Sequence, residues 1–185
     1  MVIELVKIKN RMKVDLKDLI TRPLGEKFYK EVGKILKNAS PNEVILMNFD
    51  GIEVADPSFL DEFLVKIIMD SKKTEKTFYV KLSNFSRLTS LNLKSVLDSY
   101  SRFKNERIAV ATNQLVDNDR YCIGNVDNIE KSILNYLHVN KSGNAKEISD
   151  YIGYPLDETE KILKELDTVR LIRADESGQH HYFGI

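Results

Sequence analysis

Val44-Ile-Leu-Met-Asn-Phe-Asp-Gly-Ile-Glu-Val-Ala-Asp-Pro-Ser-Phe-Leu-Asp-Glu-Phe-Leu64 is the stretch whose reading decides the fold. Val44 to Met47 is an unbroken apolar run, the pattern of a strand buried on both faces in a parallel sheet. Asp50 and Gly51 then mark a turn, and Ile52 to Ala55 a short extended piece. Two caps suit the helix start that follows. Asp56 caps with Pro57 at the first helical position, or Ser58 caps with Asp61 three residues on, in a capping-box position. In either case Leu60, Phe63, Leu64, Ile67 and Ile68 recur at helical spacing and mark one apolar face.

Upstream, Val2 to Ile8 reads as a first strand, with Arg11 to Leu16 as a hairpin partner. Leu24, Phe28, Val32, Ile35 and Leu36 predict a helix that starts at Thr21 and Pro23 and ends near Asn38 and Ser40, before Pro41. Downstream, Phe78 to Leu82 is a strand, Leu88, Leu91, Val96, Leu97 and Tyr100 fit a helix, and Ile108 to Ala111 a further strand. Strands alternating with helical crossovers imply an α/β fold, with a mixed, mostly parallel sheet covered by helices, over residues 1–115.

Residues 116–125, with Asp117, Asn118, Asp119 and Gly124, read as a linker. Over residues 126–185 the pattern changes. Ile129, Ile133, Leu134 and Leu137 make one helix, and Asn140 to Gly143 a turn. Asn144 caps a second helix with Glu147 at its third position, burying Ala145, Ile148 and Ile152. Gly153-Tyr-Pro155 stops it, and a third helix from Leu156 or Asp157 packs Ile162, Leu163 and Leu166. Leu171 to Asp175 and His180 to Phe183 are strand-like, joined by a turn containing Gly178. Three helices followed by a β-hairpin are the pattern of a helix-turn-helix with a wing.

Two family resemblances agree with this division. The Phe49-Asp-Gly-Ile52 and Asp56-Pro-Ser-Phe-Leu-Asp-Glu62 segments look like the STAS-like family, α/β domains related to the anti-sigma-factor antagonists, over residues 20–112. That resemblance implies a prokaryotic regulatory protein, often joined to signalling or DNA-binding modules. In the antagonists the second hydroxyl residue at this helix start is phosphorylated by a partner kinase. Ser58 falls at that position and Asp56 matches the preceding Asp, while Pro57 and Phe59 depart from the pattern. Asn144-Ala-Lys-Glu-Ile-Ser-Asp-Tyr-Ile-Gly153 resembles the second helix of winged-helix transcription regulators. Leu163-Lys-Glu-Leu166 and Leu171-Ile-Arg173 resemble the end of their third helix and the start of the wing.

The totals bound the function classes. The 185 residues suit one large or two small domains, and 42% hydrophobic content suits ordinary cores. A single cysteine, Cys122, makes no internal disulfide, and the N-terminal Met-Val-Ile-Glu-Leu-Val-Lys7 carries charge within its only apolar stretch, unlike a signal peptide. The expectation is a cytoplasmic protein without a membrane partner. Scattered glycines offer no phosphate loop, there is no nucleophile-elbow motif, and no His/Cys/carboxylate spacing suggests zinc. His180 and His181, adjacent in a strand, face opposite ways. No cofactor and no enzymatic activity are expected.

Lys plus Arg equals Asp plus Glu at 28 each, but the charges are unevenly placed. Residues 125–185 hold seven basic and eleven acidic side chains, a net −4, so the first 124 carry +4. Asp157 and Glu158 make the start of the third helix acidic where a duplex reader is basic. The reading is a regulator whose first domain docks a partner or signal and whose winged helix contacts DNA, as a homodimer. The alternative is an adaptor whose acidic winged helix binds protein or dimerises. Candidate site residues are Ser58 as a phosphorylation switch, or as a simple cap. Asp50, Asp56, Asp61 and Glu62 form a partner-docking loop, or a Mg²⁺ site, or merely caps and solvated charges. Thr159, Lys161, Lys164, Arg173 and His180 are the candidate DNA contacts, with Lys7, Lys9, Arg11, Lys13 and Lys17 as helpers or as a protected sheet edge.

Overall fold

The central apolar run becomes β2 (Glu43–Asn48), second of five strands in one sheet. The computed structural model describes residues 1–14, 17–73, 78–175 and 181–185. β1 (Val2–Glu4), β2, β3 (Phe78–Ser83) and β4 (Ala109–Val116) run parallel in that order, and β5 (Arg120–Gly124) closes the edge antiparallel to β4. The chain is thus α/β with a mixed sheet.

The first expected strand is shorter than its apolar pattern. Only Val2–Glu4 pairs with β2, and the chain then turns into α1 (Leu5–Arg11). Leu5 and Ile8 lie three residues apart and are both buried, which a helix achieves and an alternating strand does not. Arg11 to Val14 accordingly forms the end of α1 and a turn rather than a hairpin arm, and Asp15 and Leu16 lie outside the described residues. α2 (Arg22–Leu36) follows, with Pro23 in its first turn.

After β2 the chain enters one continuous helix in three parts: α3 (Pro57–Leu60), a π-helical turn (Asp61–Val65) and α4 (Lys66–Lys73). Phe28 of α2 packs edge-on to Phe59 and Phe63, at ring-centroid distances of 5.2 and 5.7 Å. α5 (Arg87–Lys104) is capped by Ser86, whose hydroxyl accepts from the Thr89 amide.

Residues 116–125, expected to be a linker, instead continue the sheet. Asp117 and Asn118 take positive φ, the Asp119 amide donates to the Val116 carbonyl, and the chain returns as β5. Asp and Asn are the residues that tolerate a primed hairpin turn, so the loop-like composition marks a turn between strands. Gly124, at φ +131°, lets β5 cross close to β4, since a Cβ there would stand 2.7 Å from the Ala109 Cα.

The last third builds α6 (Asn128–Asn140), β6 (Ser142–Asn144), α7 (Ala145–Ile152), α8 (Leu156–Thr168), β7 (Ile172–Ala174) and β8 (His181–Gly184). The expected turn at Asn140 to Gly143 is mostly structured: Asn140 ends α6, and Ser142–Asn144 is a strand paired with β8. β8 is the middle strand of an antiparallel sheet ordered β6-β8-β7. Asp127 and Asn144 each form a capping box, with Glu130 and Glu147 respectively.

The large sheet alternates between two cores. Ile45, Met47, Phe78, Val80, Leu82, Val110 and Ile123 face the core shared with α1 to α5. Ala109, Ala111 and Cys122 point the other way and join Ile133, Leu134 and Leu137 of α6 in a second core with α7, α8 and the small sheet. The C-terminal unit therefore sits on one half of the second face of the sheet.

Candidate functional site

Asp56 organises the start of α3. Its Oδ1 accepts from the Phe59 amide at 2.6 Å, and its Oδ2 accepts from the Thr21 amide at 3.2 Å. Ser58 Oγ donates to both carboxylate oxygens at 3.0 and 3.2 Å. Of the two expected caps, Asp56 is therefore the one formed. The Ser58 hydroxyl sits against a carboxylate, where an added phosphate meets like charge.

Asp61 and Glu62, on the π-helical turn, face α2 and α5. Arg22 Nη1 lies 2.9 Å from Asp61 Oδ2 and 3.1 Å from Glu62 Oε2. Lys66 pairs with Glu62 on its other side. Tyr100 Oη donates to Asp61 Oδ1 at 2.7 Å, and burial together with that bond pushes its phenol up to about 12. Asp50 stands in the turn after β2, its amide donating to Asn48 Oδ1 at 3.0 Å. The four carboxylates expected to form one loop thus serve as a turn, a cap and two ion-pair partners. Among the described residues no group of three or more His, Cys, Asp or Glu side chains converges to hold a metal ion.

The candidate nucleic-acid contacts of the C-terminal unit are dispersed. Thr159 is wholly buried, with Oγ1 donating to the Pro155 carbonyl at 3.0 Å. It cannot touch a duplex, because it shares a helix face with the buried Leu163 and Leu166, four and seven residues on. Lys161 is exposed and pairs with Glu158 at 2.8 Å. Lys164 is exposed. The Arg173 guanidinium lies 4.9 Å from the centroid of the Phe183 ring. His180 and the Gly178 turn lie outside the described residues, while His181 packs edge-on to Phe183. Asp157, Glu158 and Glu165 share the exposed side of α8 with the two lysines. Of the N-terminal basic residues, Lys7 and Lys17 pair with Glu4 and Glu53, each at 2.9 Å.

Comparison of the sequence with models of known protein families and with curated proteins gives no match.

The contacts with no sequence signal are those between the two units. Arg107, just before β4, donates to Glu130 Oε2 at 2.5 Å and to the Asn125 carbonyl at 3.1 Å. Glu130 is nearly fully buried, and the same carboxylate oxygen accepts from the Asp127 amide at 2.9 Å. Lys81 Nζ donates to the Ile185 carbonyl at 2.6 Å. The Arg170 guanidinium lies 5.4 Å from the centre of the Tyr79 ring. His138 stacks on Tyr121 at 3.4 Å, and burial, with Lys81 and Lys141 nearby, holds its imidazole below the usual histidine range. Burial pushes the Cys122 thiol up to about 11, which keeps it a neutral core residue. No helix among the described residues is long and apolar enough to cross a membrane.

Proposed function

We propose that this chain is a non-enzymatic regulatory adaptor: a STAS-like domain reaching through the β4–β5 hairpin, joined to a winged helix-turn-helix domain that acts by binding protein. The observation that carries the reading is the state of α8, the helix that would enter the major groove. Its exposed side bears Asp157, Glu158 and Glu165 against Lys161 and Lys164, and Thr159 is buried. Duplex affinity draws heavily on phosphate contacts from Lys and Arg, and the acidic side chains on this surface repel a phosphate backbone.

On the same reading the STAS-like domain docks its partner without a phosphorylation switch, because the Ser58 hydroxyl already bonds to Asp56. Asp61 and Glu62 are held by Arg22, and a docking partner would have to displace those pairs.

The test is a mobility-shift titration against genomic fragments at low salt. No shift is expected at micromolar protein, and Asp157→Lys with Glu158→Lys should create one. A sequence-selective shift by the unaltered chain overturns the adaptor reading. It would favour the second reading, a DNA-contacting regulator, which rests on the element order α6, β6, α7, α8, β7, β8.

A further inference from the structure

Among the described residues, an open groove of about 910 Å³ lies between α2, α4 and the start of β3, next to the π-helical turn, whose partner Lys66 stands 5.6 Å from the centre of the Tyr29 ring. Half-buried Tyr29 and Leu36 make its apolar walls, and the core residues Ile67 and Phe78 close its floor. Three cations from successive turns of α2, Lys30, Lys34 and Lys37, stand along its rim. Their aliphatic stems extend the apolar surface while the ammonium groups remain in water.

Gly33 lies in the same wall. A glycine inside a helix is unfavourable relative to alanine, and is usually retained where the backbone is closely approached. Here a Cβ on Gly33 would meet nothing within 4 Å among the described residues, so no described neighbour requires the missing side chain. The space it leaves opens into the groove.

The charges choose the ligand class. Two carboxylates line the groove beside the three lysines and leave it a net +1: Asp70 accepts from Tyr29 Oη at 2.7 Å, and Glu31 pairs with Lys34 at 2.5 Å. Lys30 pairs with Glu26 at 2.6 Å. These pairs along α2 are solvent-exposed and weak, so an incoming anion can recruit the lysines. An apolar lining under a cationic rim, of a volume within the range of small-molecule sites (roughly 300–1,000 Å³), suits a small ligand.

We propose that this groove binds an anionic amphiphile of the fatty-carboxylate class, with its chain along Tyr29, Leu36 and Phe78 and its head group at Lys34 and Lys37. The site is independent of the adaptor reading and would stand if that reading fell.

The probe is a fluorescent long-chain fatty acid below its micelle concentration, displaced by palmitate, with the full chain. Saturable binding is expected. Lys34→Glu with Lys37→Glu should weaken it at least tenfold, and Gly33→Leu, which fills the opening, should do the same. Gly33→Leu should also raise the unfolding temperature, which separates a blocked groove from a damaged fold. A long-chain alkylammonium with the same tail should bind at least tenfold more weakly. No saturable binding, equal affinity for both head groups, or binding to anionic phospholipid vesicles but not to the monomeric fatty acid would each overturn the proposal.

Discussion

Asp56 holds three groups at once, the Phe59 amide, the Thr21 amide and the Ser58 hydroxyl. Removing it leaves a helix N-terminus uncapped and releases the segment before α2. Asp56→Ala is expected to cost about 1–2 kcal/mol in urea unfolding. Ser58→Ala removes only a donor to an oxygen that keeps other partners, and should cost less than about 0.5 kcal/mol. A larger loss for Ser58→Ala than for Asp56→Ala would refute this ranking. Tyr100 gives a pH signature. Its folded-state value, about 12, exceeds the ordinary 10.0, so the neutral phenol is favoured by the fold. That contribution is complete below the ordinary value and is lost as pH rises through the folded one. Tyr100→Phe should therefore flatten the alkaline fall in stability, comparing unfolding at neutral pH with about pH 11. An unchanged alkaline profile would show that another group governs it.

At the scale of elements, Arg107 and Glu130 join the two units through a carboxylate that also completes the cap of α6. Arg107→Ala leaves that carboxylate buried without its cation, keeping the bond from the Asp127 amide. A loss of about 2–3 kcal/mol is expected, somewhat below that for a fully buried pair because Arg107 is partly exposed. A double-mutant cycle with Glu130→Gln should give a coupling of more than about 1 kcal/mol. A coupling near zero would mean that the pair does not hold the units together.

Much of the element order was legible in the sequence. Phe28 and Val32 named the buried face of α2, Val44 to Met47 named β2, and the Asn144 and Glu147 box fixed the start of α7. The failures share a cause. Val2 to Ile8 is apolar and β-branched enough to satisfy both periods, and only the burial of Leu5 and Ile8 three residues apart separates helix from strand. Asp117 to Asp119 reads equally as linker or as hairpin turn, because the same residues suit both. Thr159 suits a duplex contact by residue type, but its spacing from Leu163 and Leu166 places it on the buried face. The Arg107 to Glu130 contact and the groove beside Gly33 arise from tertiary packing, which periodicity does not encode.

At the scale of the whole molecule, Ala109, Ala111 and Cys122 belong to the sheet by hydrogen bonding and to the C-terminal core by packing. The two units should therefore unfold together. Native-state hydrogen exchange should give the amides of β4 and α6 the same opening free energy. A separate, lower value for α6 would refute the coupling. His138, stacked on Tyr121 at this junction, adds an acid dependence. Its folded-state value is depressed below 6.5, so its contribution is present above that pH and is lost as pH falls. Melting temperature should drop on acidification from about pH 7 to 5, and less so in His138→Gln.

The position of β8 carries a consequence for synthesis. This strand is the centre of the small sheet, yet it is made after every other described element of the molecule. As the chain leaves the ribosome, α6, α7 and α8 emerge before the strand that must lie between β6 and β7. Until then the patch at Ala109, Ala111 and Cys122 is without its finished cover. A delay in the pairing of β8 would prolong that exposed state, in which a nascent chain is most open to chaperones and to aggregation.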